Sequence, residues 1–248
     1  MKGVVLLLKI NNLSKSYSRG MKPAVDNLNM TVKPGEIFGF IGPNGAGKTT
    51  TIKMITGILN PDSGTILING KDMVKDDIEA KKLIGYVPDS PEIYEKLSGI
   101  EYLEFIGDVY DVPVDERKKN IAYYLDMFEL GSAANDQIKS FSHGMRQKLV
   151  LTGALLHNPK LWILDEPLVG LDPRAAHLLK EQMRQHCKQG NTVFFSTHVL
   201  EVAEKLCDRI GIIHQGKLVA VGTLEELKAQ ASSNSLESIF LEITKKDE

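Results

Sequence analysis

Cysteine is scarce in this chain: Cys187 and Cys207 are the only two among 248 residues. They stand in no Cys-x-x-Cys or Cys/His spacing, which excludes a zinc module or disulfide framework built on them. With no export signal, they are expected to be free thiols in a reducing compartment. An excess of charge of one sign is lacking too. Lys and Arg number 30 against 32 Asp and Glu, a net charge of −2, so nothing points to nucleic acid as a partner. No apolar run approaches the ~20 residues that cross a bilayer. The opening MKGVVLLLKI has a basic residue and an apolar stretch but no small-residue cleavage site, and alternation resumes in KINNLSKSY. It reads as a strand rather than a signal peptide. Internal repeats and low-complexity tracts are also missing. What remains is an ordinary globular balance, 42 % apolar and 25 % charged, long enough for one large domain or two small lobes.

Up to about Gly70 the pattern is strands and turns: LLLKINNLSKSY and GTILING are β-like, and NPDSG is turn chemistry. Between them EIFGFIGPNGAGKTTTIKMITGIL reads as strand, glycine loop and helix. From Ser98 to about Ser140 apolar residues recur at helical spacing, in GIEYLEFIGDVYDV and ERKKNIAYYLDMFEL. Helix and strand then alternate. GMRQKLVLTGALLH is helical, LWILDE is a strand buried on both faces, RAAHLLKEQMRQHCKQG is helical, TVFFSTH is again a buried strand. DRIGIIHQGKLVAVG is a hairpin, and TLEELKAQA begins with a threonine cap followed by acids. The alternation predicts an α/β fold with a mainly parallel sheet.

GPNGAGKT, Gly42 to Thr49, matches G-x-x-x-x-G-K-[ST] in full. Gly42, Gly45 and Gly47 let the backbone wrap a phosphate and aim N–H groups at it, with Asn44 in the loop between. The following helix, with Thr50 in its first turn, presents its positive end. Lys48 supplies a mobile charge for the terminal phosphates and the Thr49 hydroxyl a ligand for Mg²⁺. A chance glycine turn would not bring an apolar strand in and a helix out. In the second half, LWILDE ends in Asp165 and Glu166 at the C-terminal edge of a buried strand, where open α/β sheets bind ligands. Asp165 suits Mg²⁺, held mainly through its water shell. Glu166 is placed to orient the attacking water. A free glutamate has a pKa of about 4.3, so its help is mostly positional.

Phosphate loop, Q-loop region, FSHGM, Walker B acid pair, LVGLD and STH follow in this order, and together they resemble the nucleotide-binding subunit of an ABC transporter over nearly the whole chain. The resemblance implies a P-loop NTPase core with a mainly parallel sheet, an N-terminal antiparallel β subdomain and an inserted helical subdomain. It divides a single domain into core (1–88 and 145–222), helical subdomain (89–144) and C-terminal helical tail (223–248). It further implies ATP and Mg²⁺ as ligands and an ATP-dependent partnership with a second copy, expected as a homodimer. FSHGM, Phe141 to Met145, stands where the family has LSGGQ. Ser142 would then donate a hydrogen bond to the γ-phosphate held on the partner's loop, and Gly144 would leave room for its N–H. Alone, the stretch would read as a serine helix cap. His143 replaces a glycine and is expected to face solvent. Asp89 stands where the family usually has glutamine; it can still ligate a cation, so Thr49, Asp165 and Asp89 form the expected metal set. Tyr17 matches the aromatic that stacks on adenine, Asp172 lies in the loop expected near the dimer axis, and His198 matches the γ-phosphate contact.

A transporter reading needs separate membrane-spanning subunits, docked around the Asp89 loop with Tyr94, Leu97 and Tyr102, unless these are subdomain core. It also implies a cytoplasmic location, peripheral on the membrane. SLESIFLEIT, Ser235 to Thr244, resembles the end of ATPases that serve ABC-2-type exporters; otherwise it is an amphipathic helix packing on its own domain. The alternatives are a soluble ABC ATPase acting in cofactor or complex assembly and a non-catalytic ATP-binding regulator. No Asn-Lys-x-Asp segment suggests a GTPase.

Overall fold

The computed structural model describes residues 6–18, 20, 22–231 and 235–245. The expected strand character of residues 1–5 lies outside these residues. The first strand is β1 (Leu8–Lys15), followed by β2 (Val25–Val32), β3 (Ile37–Ile41), α1 (Lys48–Ile55), β4 (Ser63–Ile68), β5 (Lys71–Asp72), α2 (Asp77–Lys81) and β6 (Ile84–Val87). Helices α3 (Gly99–Val109), α4 (Val114–Met127) and α5 (His143–Leu155) come next, then β7 (Leu161–Asp165), α6 (Pro173–Lys188), β8 (Thr192–Thr197) and α7 (Leu200–Leu206). The hairpin β9 (Arg209–His214) and β10 (Lys217–Gly222) leads to α8 (Leu224–Ala231) and α9 (Leu236–Lys245).

Two sheets result. One is antiparallel, in the order β2-β1-β4-β5. The other runs β10-β9-β3-β8-β7-β6, parallel from β9 to β6, with β10 added antiparallel at the edge. The strands of its middle are continuous apolar runs because both faces are covered. In β7, Trp162 and Leu164 join one core with Leu149, Leu179 and Phe195, while Leu161 and Ile163 join the other with Phe38, Phe40 and Phe194. Successive side chains on a strand point to opposite faces, and this alternation is how one strand serves two cores.

Capping fixes the helices where they begin. Ser98 and Glu101 form a reciprocal capping box on α3. Thr223 and Glu226 do the same ahead of α8, as the threonine signal predicts. Such caps contribute about 0.5–2 kcal/mol each. α9 packs on its own domain: Leu236 and Ile239 enter a cluster with Ile41, Ala203 and Ile212, and the Glu204 carboxylate accepts from the Leu236 N–H at 2.9 Å. The short α2 and α7 do not stand out in the sequence, since a helix of five or seven residues shows hardly a full period of apolar spacing.

Tyr102 corrects the expected docking surface. It is 8 % exposed and belongs to the core with Leu103 and Phe141, whereas Tyr94 is 64 % exposed and rests edge-on against Phe105. The helical period of α3 buries Tyr102 on the face turned toward α5, where its ring stands beside Gly153.

Candidate nucleotide site

β3 is buried along its whole length and ends at Ile41, and at Gly42 the chain turns into the glycine loop. Gly47, just before α1, has φ 108°, and a Cβ there would stand 2.4 Å from the Ala24 carbonyl oxygen. Only glycine fits that conformation and that space. Lys48 is nearly buried, and its ammonium donates to the Gly42 carbonyl at 2.7 Å and the Pro43 carbonyl at 3.3 Å. A cleft of about 230 Å³ opens over the loop, lined by Asn44, Gly45, Gly47, Lys48, Thr49 and Thr50 together with Asp89 and Glu166. Tyr17 is exposed, and its hydroxyl lies 3.3 Å from the Thr50 hydroxyl at the start of α1.

Asp165 and Glu166 arrive from β7, and His198 follows β8. Glu166 has φ 47°, a left-handed conformation that costs a non-glycine residue about 1–2 kcal/mol. Two bonds hold it there: its N–H donates to Ser196 Oγ at 3.1 Å, and its carbonyl accepts from the Val169 N–H at 3.1 Å. The carboxylate thereby reaches Lys48 at 3.5 Å through Oε1 and His198 Nδ1 at 3.0 Å through Oε2. Lys48, Glu166 and His198 thus form one polar chain.

Asp165 is 1 % exposed. Its Oδ1 accepts from the Ser196 hydroxyl, and its Oδ2 is buried with no hydrogen-bond partner. Burial raises its pKa. The Ser196 and Thr49 hydroxyls pull it down, and the charges of Asp89 and Glu166 push it up again. Burial also raises the Tyr86 phenol, helped by Asp165 and Asp89. Asp89 therefore sits close enough to act on the buried acid, although it is itself exposed. Among the described residues no three His, Cys, Asp or Glu side chains form a set able to hold a metal ion unaided. The orphaned Asp165 oxygen beside a hydroxyl nevertheless fits a hard cation that takes its remaining ligands from phosphate and water.

Ser196 is the residue that sequence reasoning missed. Its hydroxyl donates to Asp165 and accepts from Glu166, holding both acids. Its neighbour His198 drew attention, and STH was the only signal available.

Ser142 and Gly144 do not line the cleft. Ser142 caps α5, accepting from the Met145 N–H at 3.2 Å, which leaves its own O–H proton free to donate outward. His143 is exposed, as expected. Asp172 caps α6 through the Ala175 N–H at 2.9 Å and lies 3.2 Å from Lys148 of α5. The Ala175 N–H and then Lys148 hold its pKa below the usual carboxylate value.

A family described as ABC transporter matches residues 25–169. The chain belongs to the ABC transporter ATP-binding family. Its ABC relatives include the linearmycin resistance ATP-binding protein LnrL of Bacillus subtilis strain 168, 40 % identical over 93 % of this chain and 73 % of that protein. The ABC-type transporter ATP-binding protein EcsA of the same organism is 38 % identical over 97 % and 98 %. The Nod factor export ATP-binding protein I of Cupriavidus metallidurans is 37 % identical over 89 % and 72 %. Among solved ABC structures, the ATP-binding subunit of an ABC transporter superposes with a TM-score of 0.92 at 35 % identity, over 96 % of this chain and 99 % of that one. A dimeric cassette bound to ADP and Pi superposes with a TM-score of 0.79 at 28 % identity, over 88 % and 98 %. The α/β fold with a mostly parallel sheet and an antiparallel N-terminal sheet is that of the ABC ATPase cassettes. The protein is an ABC transporter ATPase subunit that binds ATP and couples its hydrolysis to transport.

Proposed function

We propose that this subunit works as an ATP-dependent homodimer that drives separate membrane-spanning subunits of an ABC-2-type exporter. The observation that carries the shared-site part is the separation within one chain. Lys48, Glu166 and His198 meet over the glycine loop, while Ser142, with its hydroxyl proton free, lies away from the cleft. A second copy turned head to tail brings Ser142 and Gly144 to the γ-phosphate, with the positive end of α5 behind them. ATP then bridges two protomers, so binding closes the pair and hydrolysis loosens it. The dimeric cassette with ADP and Pi is similar to this chain and supports the reading.

Within each half-site the backbone of Gly42, Asn44, Gly45 and Gly47 cradles the phosphates, with Thr50 in the first turn of α1, and Tyr17 stacks on adenine. Lys48 exchanges the carbonyls of its own loop for terminal phosphate oxygens. Glu166, held by Ser196 and His198, orients the water whose oxygen attacks the γ-phosphorus; the bond to ADP breaks and phosphate leaves. His198 contacts the γ-phosphate, and loss of one such donor costs about 10²–10³ in kcat. Thr49 and Asp165, with Asp89 at the rim, would hold Mg²⁺, which neutralises phosphate charge when bound.

No helix among the described residues is long and apolar enough to cross a membrane, so on this reading transport needs partner subunits and the protein sits on the membrane's cytoplasmic face. Residues 89–144 carry the docking surface, at the exposed Tyr94 and Phe105 beside Leu97. Similarity to a linearmycin resistance protein and a Nod factor export protein favours export; SLESIFLEIT, which packs on its own domain, adds nothing to that. The test is co-purification from detergent-solubilised native membranes with tagged Glu166→Gln and MgATP. A co-purifying protein with several membrane spans supports the exporter. Capture of soluble proteins alone, with the ATP-dependent dimer intact, overturns it in favour of an assembly ATPase.

A further inference from the structure

His143 is exposed, yet the Cδ2–Nε2 edge of its ring is occupied. A Cβ built on Gly170 would stand 2.8 Å from His143 Cδ2 and 2.9 Å from Nε2, so the imidazole lies against the Gly170 α-carbon. Gly170 has φ 80° and sits in the loop between Glu166 and Asp172. Its carbonyl oxygen lies 3.4 Å from where a Cβ on Gly144 would be. One turn further along α5, Lys148 pairs with Asp172 at 3.2 Å. Met145, Leu168 and Leu171 pack on the same core beneath. The start of α5 and the loop after Glu166 are therefore joined by a ring and an ion pair.

The other end of this loop reaches the cleft. The Val169 N–H donates to the Glu166 carbonyl at 3.1 Å, and the Glu166 side chain holds His198 and Lys48. We propose that His143 is a positioning residue: its ring fixes the loop 167–172 on the first turn of α5, so that Ser142 and Glu166 of one chain move as a single body. This rests on the shared-site dimer. On that reading Ser142 serves the partner's ATP while Glu166 serves its own, so the contact ties the two sites together inside each protomer. Glycine at 143 would leave a left-handed glycine loop with no side chain over it, and such a loop samples more conformations. A flat, short ring covers an α-carbon at small entropic cost.

The test is a double-mutant cycle of His143→Gly and Gly170→Ala, alone and together, with His143→Phe as the variant that keeps a flat ring. The ATP-dependent dimer dissociation constant is measured by sedimentation in Glu166→Gln protein, and MgATP turnover in protein with Glu166 intact. His143→Gly is expected to weaken the dimer about tenfold and lower kcat. It leaves nucleotide binding to the lone protomer unchanged, and His143→Phe restores most of the loss. Gly170→Ala is strained in any background because of its φ, so the difference between backgrounds is the readout: the methyl meets the ring only when His143 is present. A Gly170→Ala effect equal in both backgrounds, or dimer affinity and kcat indifferent to His143→Gly, overturns the inference. Failure of the shared-site reading looks different: Glu166→Gln protein with His143 intact would not pair with MgATP at all.

Discussion

Ser196→Ala removes a single buried hydroxyl, and its consequences can be worked out at two levels. The hydroxyl donates to Asp165 Oδ1 and accepts from the Glu166 N–H. A hydrogen bond to a charged group contributes about 1.5–3 kcal/mol and one between neutral groups about 1. At alkaline pH, where Asp165 is most ionised, the variant should lose about 2–4 kcal/mol in urea unfolding. Asp165 has one way out, which is to take up a proton. Its folded pKa is already raised by burial, against the pull of Ser196, and loss of the hydroxyl raises it further. A carboxyl whose folded pKa lies above its unfolded value destabilises the fold above that pKa and is relieved as pH falls. The stability defect should therefore shrink as pH falls, compared at an alkaline and an acidic pH. Turnover responds differently, because the Glu166 N–H bond to Ser196 is one of the two that hold its left-handed backbone. On the proposed mechanism its carboxylate then drifts from the water it would orient, and kcat should fall about 10- to 100-fold with little change in ATP affinity. Paired urea titrations at the two pH values and steady-state MgATP hydrolysis read both effects. A pH-independent defect together with kcat within twofold of the parent would refute the reasoning.

Asp89→Gln removes one of the charges that raise the Asp165 pKa, so Asp165 stays ionised to lower pH and the acid limb of the kcat/KM profile should move down; an unmoved limb and unchanged Mg²⁺ dependence dismiss the role. Gly144→Ala should leave the thermal midpoint within 1–2 °C, because its methyl meets only the Gly170 carbonyl at an ordinary 3.4 Å, an effect of about 0.5 kcal/mol or less. ATP-dependent dimerisation and turnover should nevertheless be lost, and a fully active Gly144→Ala protein counts against a partner-completed site. His157 and His186 are held neutral, chiefly by burial, with pKa values lowered to about 4. A histidine depressed in this way stabilises fully above the unfolded value of ~6.5 and loses that contribution as pH falls toward 4. For His186, which is 2 % exposed, this amounts to about 2–3 kcal/mol by pH 4.5, so His186→Gln should flatten the acid limb of the unfolding free energy. An unchanged limb would show that the ring is protonated in the fold.

The parts of the site that were legible in the sequence are those whose chemistry is local. The glycine loop is contiguous, because its tight turn depends on glycines two and three residues apart, with Gly47 against Ala24. Asp165 with Glu166, and His198 after TVFFST, were legible because continuous apolar runs announce buried strands and ligands gather at their ends. The contacts of His143 and the burial of Tyr102 were not, because both depend on elements distant in the chain. Ser196 shows most clearly why the remainder was hidden. In chain order β3 comes first, β7 next and β8 last, but in the sheet β8 lies between β3 and β7. The parallel register sets Ser196 beside Asp165 and Thr197 beside Ile41. A serine in the middle strand can hold the acid pair of one neighbour while the following histidine closes over the glycine loop of the other. Nothing in STH states that order, and had β8 been added outside β7 the histidine would lie a strand farther from Lys48. The union of Lys48, Glu166 and His198 follows from strand order, with β3, β7 and β8 side by side between the two cores.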